Sequence, residues 1–171
     1  TTEANPDSLD DDKLRVYARY GVKRMSLGVQ SLQNDILKRA NRAYQSEEKV
    51  GHMIATAQNH GIVVNTDLIF GFQGDTPTRF RKTFSQLLKY KPDHVAIYYL
   101  DAHEGFEPDE DMLAPDVKWR NFVKVEQIAL AHGYIAFPMG EDGISVVGKR
   151  QGNQVLSRFF GSYLPSLFKY L

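Results

Sequence analysis

The sequence predicts an α/β protein whose sheet is parallel and built from repeated βα units. Three observations predict it. A helical segment ends at a glycine with an apolar, strand-like run directly behind it at Gly21, Gly61 and Gly133. Strand-like and helix-like segments alternate along most of the chain, the order that right-handed parallel crossovers produce. Polar residues gather near the carboxyl ends of the strand-like runs, where parallel α/β folds hold their ligands.

The elements follow in order. Thr1-Thr2-Glu3-Ala4 reads as a strand cut at its start, so further sequence is expected upstream. A helix over 9–20 opens on Asp10, Asp11 and Asp12, acids suited to the positive end of a helix dipole. Gly21 ends it, because glycine adopts the left-handed conformation after a helix at little cost, and a strand over 22–27 follows. Ser46, with Glu47 and Glu48 behind it, starts a helix that runs to Asn59, ahead of Gly61 and a strand over 62–69. Thr76-Pro77 places a capping residue before a proline at the first helical position, and that helix runs to Tyr90. Pro92 cannot continue it, and a strand over 95–100 comes next. The last helix begins at Asp116, and Gly133 separates it from a strand over 134–137. A doubly wound sheet and part of a barrel both fit this order.

A chain of 171 residues is long enough for one domain with a true core. Lys plus Arg and Asp plus Glu are equal at 21 each, so no global field favours nucleic acid or an anionic membrane as a partner. No apolar run is long enough to span a bilayer, and the expected location is the cytosol. There is no cysteine, which excludes disulfides, thiolate metal ligation and cysteine nucleophiles within these residues. The five histidines are scattered and outline no zinc site; His60 and His132 suit the negative ends of helices. The acidic stretch from Glu104 to Asp111 lacks the spacing of a calcium loop and reads as a solvated linker.

The candidate site residues are those at the strand ends. They are Glu3 before Asn5-Pro6, Gln30 just after Gly28-Val29, Asp67 with Asn65 two residues earlier on the same face, and Tyr99 with Asp101. Asp67 is the sharpest, because it interrupts a run that otherwise reads as a buried strand. A carboxylate there requires hydrogen bonds or a partner charge. Burial against arginine or backbone donors meets that need, and so does a ligand amine or hydroxyl. The loop Gly71-Phe72-Gln73-Gly74-Asp75-Thr76 opens onto a helix and suits either a phosphate or an ordinary tight turn. It lacks the Lys-Ser or Lys-Thr of a P-loop, which argues against nucleoside triphosphates.

Glu3-Ala4-Asn5-Pro6, then Ser26-Leu27-Gly28-Val29-Gln30-Ser31, Arg42, and Asp67-Leu68-Ile69-Phe70-Gly71 with Thr76 resemble successive motifs of one family. Pro92-Asp93-His94-Val95 leading into Tyr98-Tyr99-Leu100 resembles its next strand. It is the oxygen-independent coproporphyrinogen III oxidase-like family of radical S-adenosylmethionine (SAM) enzymes, and the resemblance covers roughly the first two thirds of the chain.

The resemblance implies a partial TIM-like (β/α) barrel that holds SAM and a [4Fe–4S] cluster at its strand ends. It implies that Glu3, Gln30, Arg42 and Asp67 contact SAM, and that the intact protein generates a 5′-deoxyadenosyl radical. The substrate it implies is a small molecule such as a tetrapyrrole, and the reductant a flavodoxin or ferredoxin. Tetrapyrrole oxidation, radical methylation, heme trafficking without turnover and an inert barrel segment stay open. The family's CxxxCxxC segment, which ligates the cluster, has no counterpart here and is expected upstream. Gln73 stands where the family has proline, Asp75 where it has glutamine, and Asp101 where the oxidases have a small residue.

The expected organisation is therefore residues 1–140 as the second half of a radical SAM barrel, and 141–171 as a C-terminal extension. That extension has no acid beyond Gly143, and Phe159, Phe160, Tyr163, Phe168 and Tyr170 make it aromatic. It is read as packing against other parts of the protein, with a face for an acidic planar molecule as the second reading.

Overall fold

Local signals in the sequence set most of the elements. In a computed structural model, which describes residues 1–42, 45–101 and 107–148, the helix starts follow their caps. Asp10, Ser46 and Thr76 each accept a backbone N–H from the first turn of α1 (Asp11–Arg19), α3 (Glu47–Asn59) and α4 (Pro77–Leu88). Gly21, Gly61 and Gly133 all have φ between 73° and 82°, the left-handed stop expected of them. The strands between are β1 (Thr2–Ala4), β2 (Arg24–Gln30), β3 (Val63–Phe70) and β4 (His94–Tyr99).

Three elements were not anticipated. A short helix α2 (Asn34–Arg39) precedes α3. Part of the acidic stretch expected as a linker folds instead. Asp109 caps the single turn α5 (Glu110–Leu113), because Met112 has an apolar surface to bury there. After α6 (Pro115–Ala131), β5 (Tyr134–Pro138) is followed by β6 (Gly143–Gly148).

The strands form one sheet in the order β1-β2-β3-β4-β6-β5. The first four are parallel, whereas β6 is antiparallel to both β4 and β5. β5 therefore runs with the parallel set, as the alternation of helix and strand requires, but β6 is inserted between it and β4. The sheet is open, a mostly parallel α/β sheet consistent with part of a barrel.

The two faces of the sheet differ in chemistry because side chains alternate along a strand. One face carries Met25, Leu27, Val64, Leu68, Phe70, Val95, Ile97, Ile144 and Val146, all buried against Leu14, Ile54, Phe84 and Val125 of the helices. Burial of each such side chain contributes about 1.5–3 kcal/mol. Phe70 meets Phe80 edge to face at 5.0 Å, pinning α4 to the middle of the sheet. The other face carries Glu3, Ser26, Asn65 and His94 in one row, with Gly28, Asp67, Ala96 and Ser145 in the next. A polar face opposite an apolar one is what positions the site.

Among the described residues, no helix is long and apolar enough to cross a membrane. His103, Glu104 and the basic and aromatic extension from residue 149 onward lie outside the described residues.

Candidate functional site

The polar face and the carboxyl ends of β1 to β4 enclose a cavity of about 690 Å³. Glu3, Gln30, Arg42 and Asp67 all line it, so the four residues singled out in the sequence converge on one space. Ser26, Gly28, Lys13 and Tyr98 line it with them.

Asp67 is held from two sides. Ser26 Oγ donates to Oδ2 at 2.6 Å and Asn65 Nδ2 donates to Oδ1 at 2.7 Å. Asn65 also donates to Ser26 Oγ at 2.6 Å, closing a triangle of side chains. Burial pushes the Asp67 carboxyl up from its ordinary range, while these two hydrogen bonds and the Arg24 charge pull it down and Glu3 adds repulsion. Asn65 Oδ1 is buried with no hydrogen-bond partner. The region is thus rich in acceptors, and its chemistry suits a ligand bearing an amine or hydroxyls.

Gln30 reaches the cavity through an unusual backbone. The β2–β3 register slips between Gly28 and Gln30, Gln30 has φ of 64°, and Ser31 N donates to Val29 O at 2.7 Å. That is a γ-turn with positive φ, the rarer and strained form, and such a conformation costs on the order of 1–3 kcal/mol. Gly28 makes room for it. A Cβ there would lie 3.0 Å from Gln30 Nε2 and 3.1 Å from Asn5 Oδ1.

Arg42 is delivered by the helix that sequence reasoning missed. α2 ends in a double cap in which Arg42 N donates to Leu37 O and Asn41 N to Lys38 O, with Asn41 left-handed at φ 49°. The exposed guanidinium-bearing residue that follows lines the cavity together with Glu3 and Asp67. A bidentate fork there matches a carboxylate. The cavity thus carries cationic and anionic side chains together, a lining whose charges suit a zwitterion.

One expectation needs correction, and one open alternative is decided. Tyr98, not Tyr99, faces the cavity; Tyr99 packs on Phe70 with centroids 5.9 Å apart and lies under the Lys118 ammonium. The phase of the alternation running from His94 through Tyr98 was the available signal. The glycine-bearing loop after β3 is closed by its own neighbours. Asp75 accepts from Thr76 N, and Arg79 donates to Gly74 O, Gln33 Oε1 and Asp35 Oδ1. A buried carboxylate at that helix start opposes a phosphate.

His94 lies deeper on the polar face and meets Ser145 Oγ through Nε2 at 2.7 Å. Burial, with Arg24 adding to it, pushes its imidazole down to about 4. Stability that depends on neutral His94 is complete above its ordinary 6.5 and is lost as pH falls towards 4. We expect a loss of about 2 kcal/mol by about pH 5 in urea titrations, absent from His94→Asn.

The comparisons with known proteins agree with the fold. Residues 1–87, half of the chain, match the model of the Radical SAM superfamily. The chain belongs to the radical SAM superfamily. It is 28% identical over 141 residues to the oxygen-independent coproporphyrinogen III oxidase of Paracoccus denitrificans, covering 78% of this chain and 31% of that protein. It is 35% identical over 101 residues to the heme chaperone HemW of Lactococcus lactis, covering 58% of this chain and 26% of that protein. The solved structure of Escherichia coli coproporphyrinogen III oxidase HemN shares its fold, with a TM-score of 0.75 at 23% identity over 92% of this chain. The chain spans 37% of that structure, so in this radical SAM protein, too, the matched region is a part of the relatives' length.

SAM fits the residues present. Its carboxylate is complementary to Arg42, and its amine and ribose hydroxyls to Glu3 and Asp67. A [4Fe–4S] cluster does not fit them, because this chain offers no thiolate.

Proposed function

We propose that this chain is the SAM-holding part of a radical SAM protein similar to the oxygen-independent coproporphyrinogen III oxidases. The observation behind this reading is the convergence of Glu3, Gln30, Arg42 and Asp67 on one cavity at the strand ends. Residues 1–140 form the second part of the barrel in this reading, and cysteines elsewhere in the protein ligate the cluster. SAM, when bound, supplies the radical chemistry that gives the superfamily its name. This chain's residues bind and orient it: Arg42 anchors the carboxylate, and Gln30 both donates and accepts. Asp67 accepts from hydroxyls, held in place by Ser26 and Asn65. The proposed substrate is a tetrapyrrole, the reductant a flavodoxin or ferredoxin, and the location cytosolic.

Titration calorimetry with S-adenosylhomocysteine tests the binding reading, since that ligand requires no cluster. We expect saturable binding, weakened about tenfold in Gln30→Ala by the loss of one net hydrogen bond. No binding to the intact chain would overturn the reading.

The 35% identity to a heme chaperone supports a second reading, heme delivery without turnover. Anaerobic reconstitution of the full protein separates the two. Release of 5′-deoxyadenosine marks the enzyme, and heme binding without that release marks the carrier.

A further inference from the structure

The strained turn at Gln30 needs something to hold it, and the structure contains a candidate that no site residue accounts for. Gln45 is a polar side chain, 6% exposed, that lies outside the main cavity. Its amide nitrogen donates to Val29 O at 2.7 Å and to Ser31 O at 2.9 Å. Those two carbonyls belong to the residues on either side of Gln30. One NH₂ group, with two hydrogens at a fixed angle, thus bridges the turn at both shoulders.

This matters because Gln30 is not a residue that favours positive φ. Asparagine and glycine tolerate it, and glutamine does so only where surrounding structure over-determines it. The ladder cannot do so here, because the β2–β3 register slips at that point. Val29 O accepts from Ser31 N within the turn as well as from Gln45, so the same carbonyl closes the turn and ties it to the segment before α3. Released from the clamp, the chain would relax to ordinary extended φ; Gln30 would keep to the face of Ser26 and Gly28, but its side chain would leave the strand in a different direction and its amide would lose its aim.

We infer that Gln45 is a positioning residue, whose paired hydrogen bonds to Val29 and Ser31 hold Gln30 in the conformation that aims its amide into the cavity. The role of that aim rests on the SAM-binding reading above; the conformational claim does not. Gln45 touches no ligand in this scheme and acts only through Gln30.

Two readouts test it on the full chain. The first needs no ligand. Hydrogen exchange at the Ser31 amide reports the turn, and we expect it to quicken about ten- to a hundredfold in Gln45→Leu, the effect of two net hydrogen bonds. Adding Gln30→Gly to that variant restores protection, because glycine adopts positive φ without strain. The second readout is S-adenosylhomocysteine affinity. Gln45→Leu weakens it about as much as Gln30→Ala, about tenfold, and adding Gln45→Leu to Gln30→Ala weakens it no further. If Gln45→Leu fails to fold, Gln45→Asn keeps an amide too short to bridge both carbonyls, and the same two measurements apply. Unchanged exchange at Ser31, or affinity losses that add, overturns the inference. Absence of binding in the parent chain overturns the SAM reading alone, and the exchange arm still decides the role of Gln45.

Discussion

Replacing Asp67 with alanine is expected to weaken S-adenosylhomocysteine binding roughly 100- to 1,000-fold, because two charge-assisted hydrogen bonds disappear together. The carboxylate is pre-aimed. Ser26 and Asn65 each occupy one side of it and leave a lone pair on each oxygen for the ligand. Asp67→Asn separates charge from shape. The isostere keeps the accepting oxygen towards Asn65 and can reverse the bond to Ser26, so the pocket stays intact while the charge is gone.

The two variants also diverge in stability. Burial raises the Asp67 carboxyl above its ordinary 3.8, so the fold favours the protonated form. Its favourable contribution is therefore full below 3.8 and is lost as pH rises through the raised value. Asp67→Asn carries no such penalty. It should be more stable than the parent chain at neutral pH by urea titration, with the advantage vanishing in acid, while binding is lost. A ligand site that costs stability in this way is typical of function. Equal stability of the two chains at neutral pH, or unchanged affinity, would refute this account of Asp67.

Gly143→Ala is expected to destabilise the chain by about 4 kcal/mol, among the larger effects of a single methyl group. Gly143 opens β6 opposite Tyr98, and a Cβ there would lie 1.8 Å from Ile97 O. The obstacle is backbone, which no rotamer change relieves. Either β6 parts from β4 or β4 itself bends, and both disturb the strand that carries Tyr98. A melting temperature within a few degrees of the parent chain would show that β6 does not pair with β4 as described. By contrast, a Cβ on Gly133 meets nothing within 4 Å, so there the whole cost of alanine is its positive φ.

The pattern of success along the chain has a physical explanation. Asp10, Ser46 and Thr76 were readable as caps because a cap acts over three or four residues of the same segment. Glu3, Gln30 and Asp67 were readable as site candidates because parallel strands bring their carboxyl ends to one edge. Arg42 was placed by motif resemblance alone; the helix and double cap that carry it were not foreseen. Asn65 was readable as a same-face neighbour two residues before Asp67, whereas the bond from Ser26 to Asp67 depends on register across two strands. Gln45 had no signal at all. Its partners are main-chain carbonyls, and no side-chain pattern marks a carbonyl that needs a donor.

What the sequence alone determined is whatever depends on near neighbours or on the alternation of βα units: the helix starts and stops, the parallel strands and the polar residues gathered at the strand ends. The tertiary structure alone decided the insertion of β6 between β4 and β5, the bond from Ser26 to Asp67, and the positive-φ turn at Gln30. The reason is range. A cap or a glycine stop is satisfied by atoms within one turn of chain, whereas a strand's partner and phase are chosen by hydrogen bonds to residues tens of positions away.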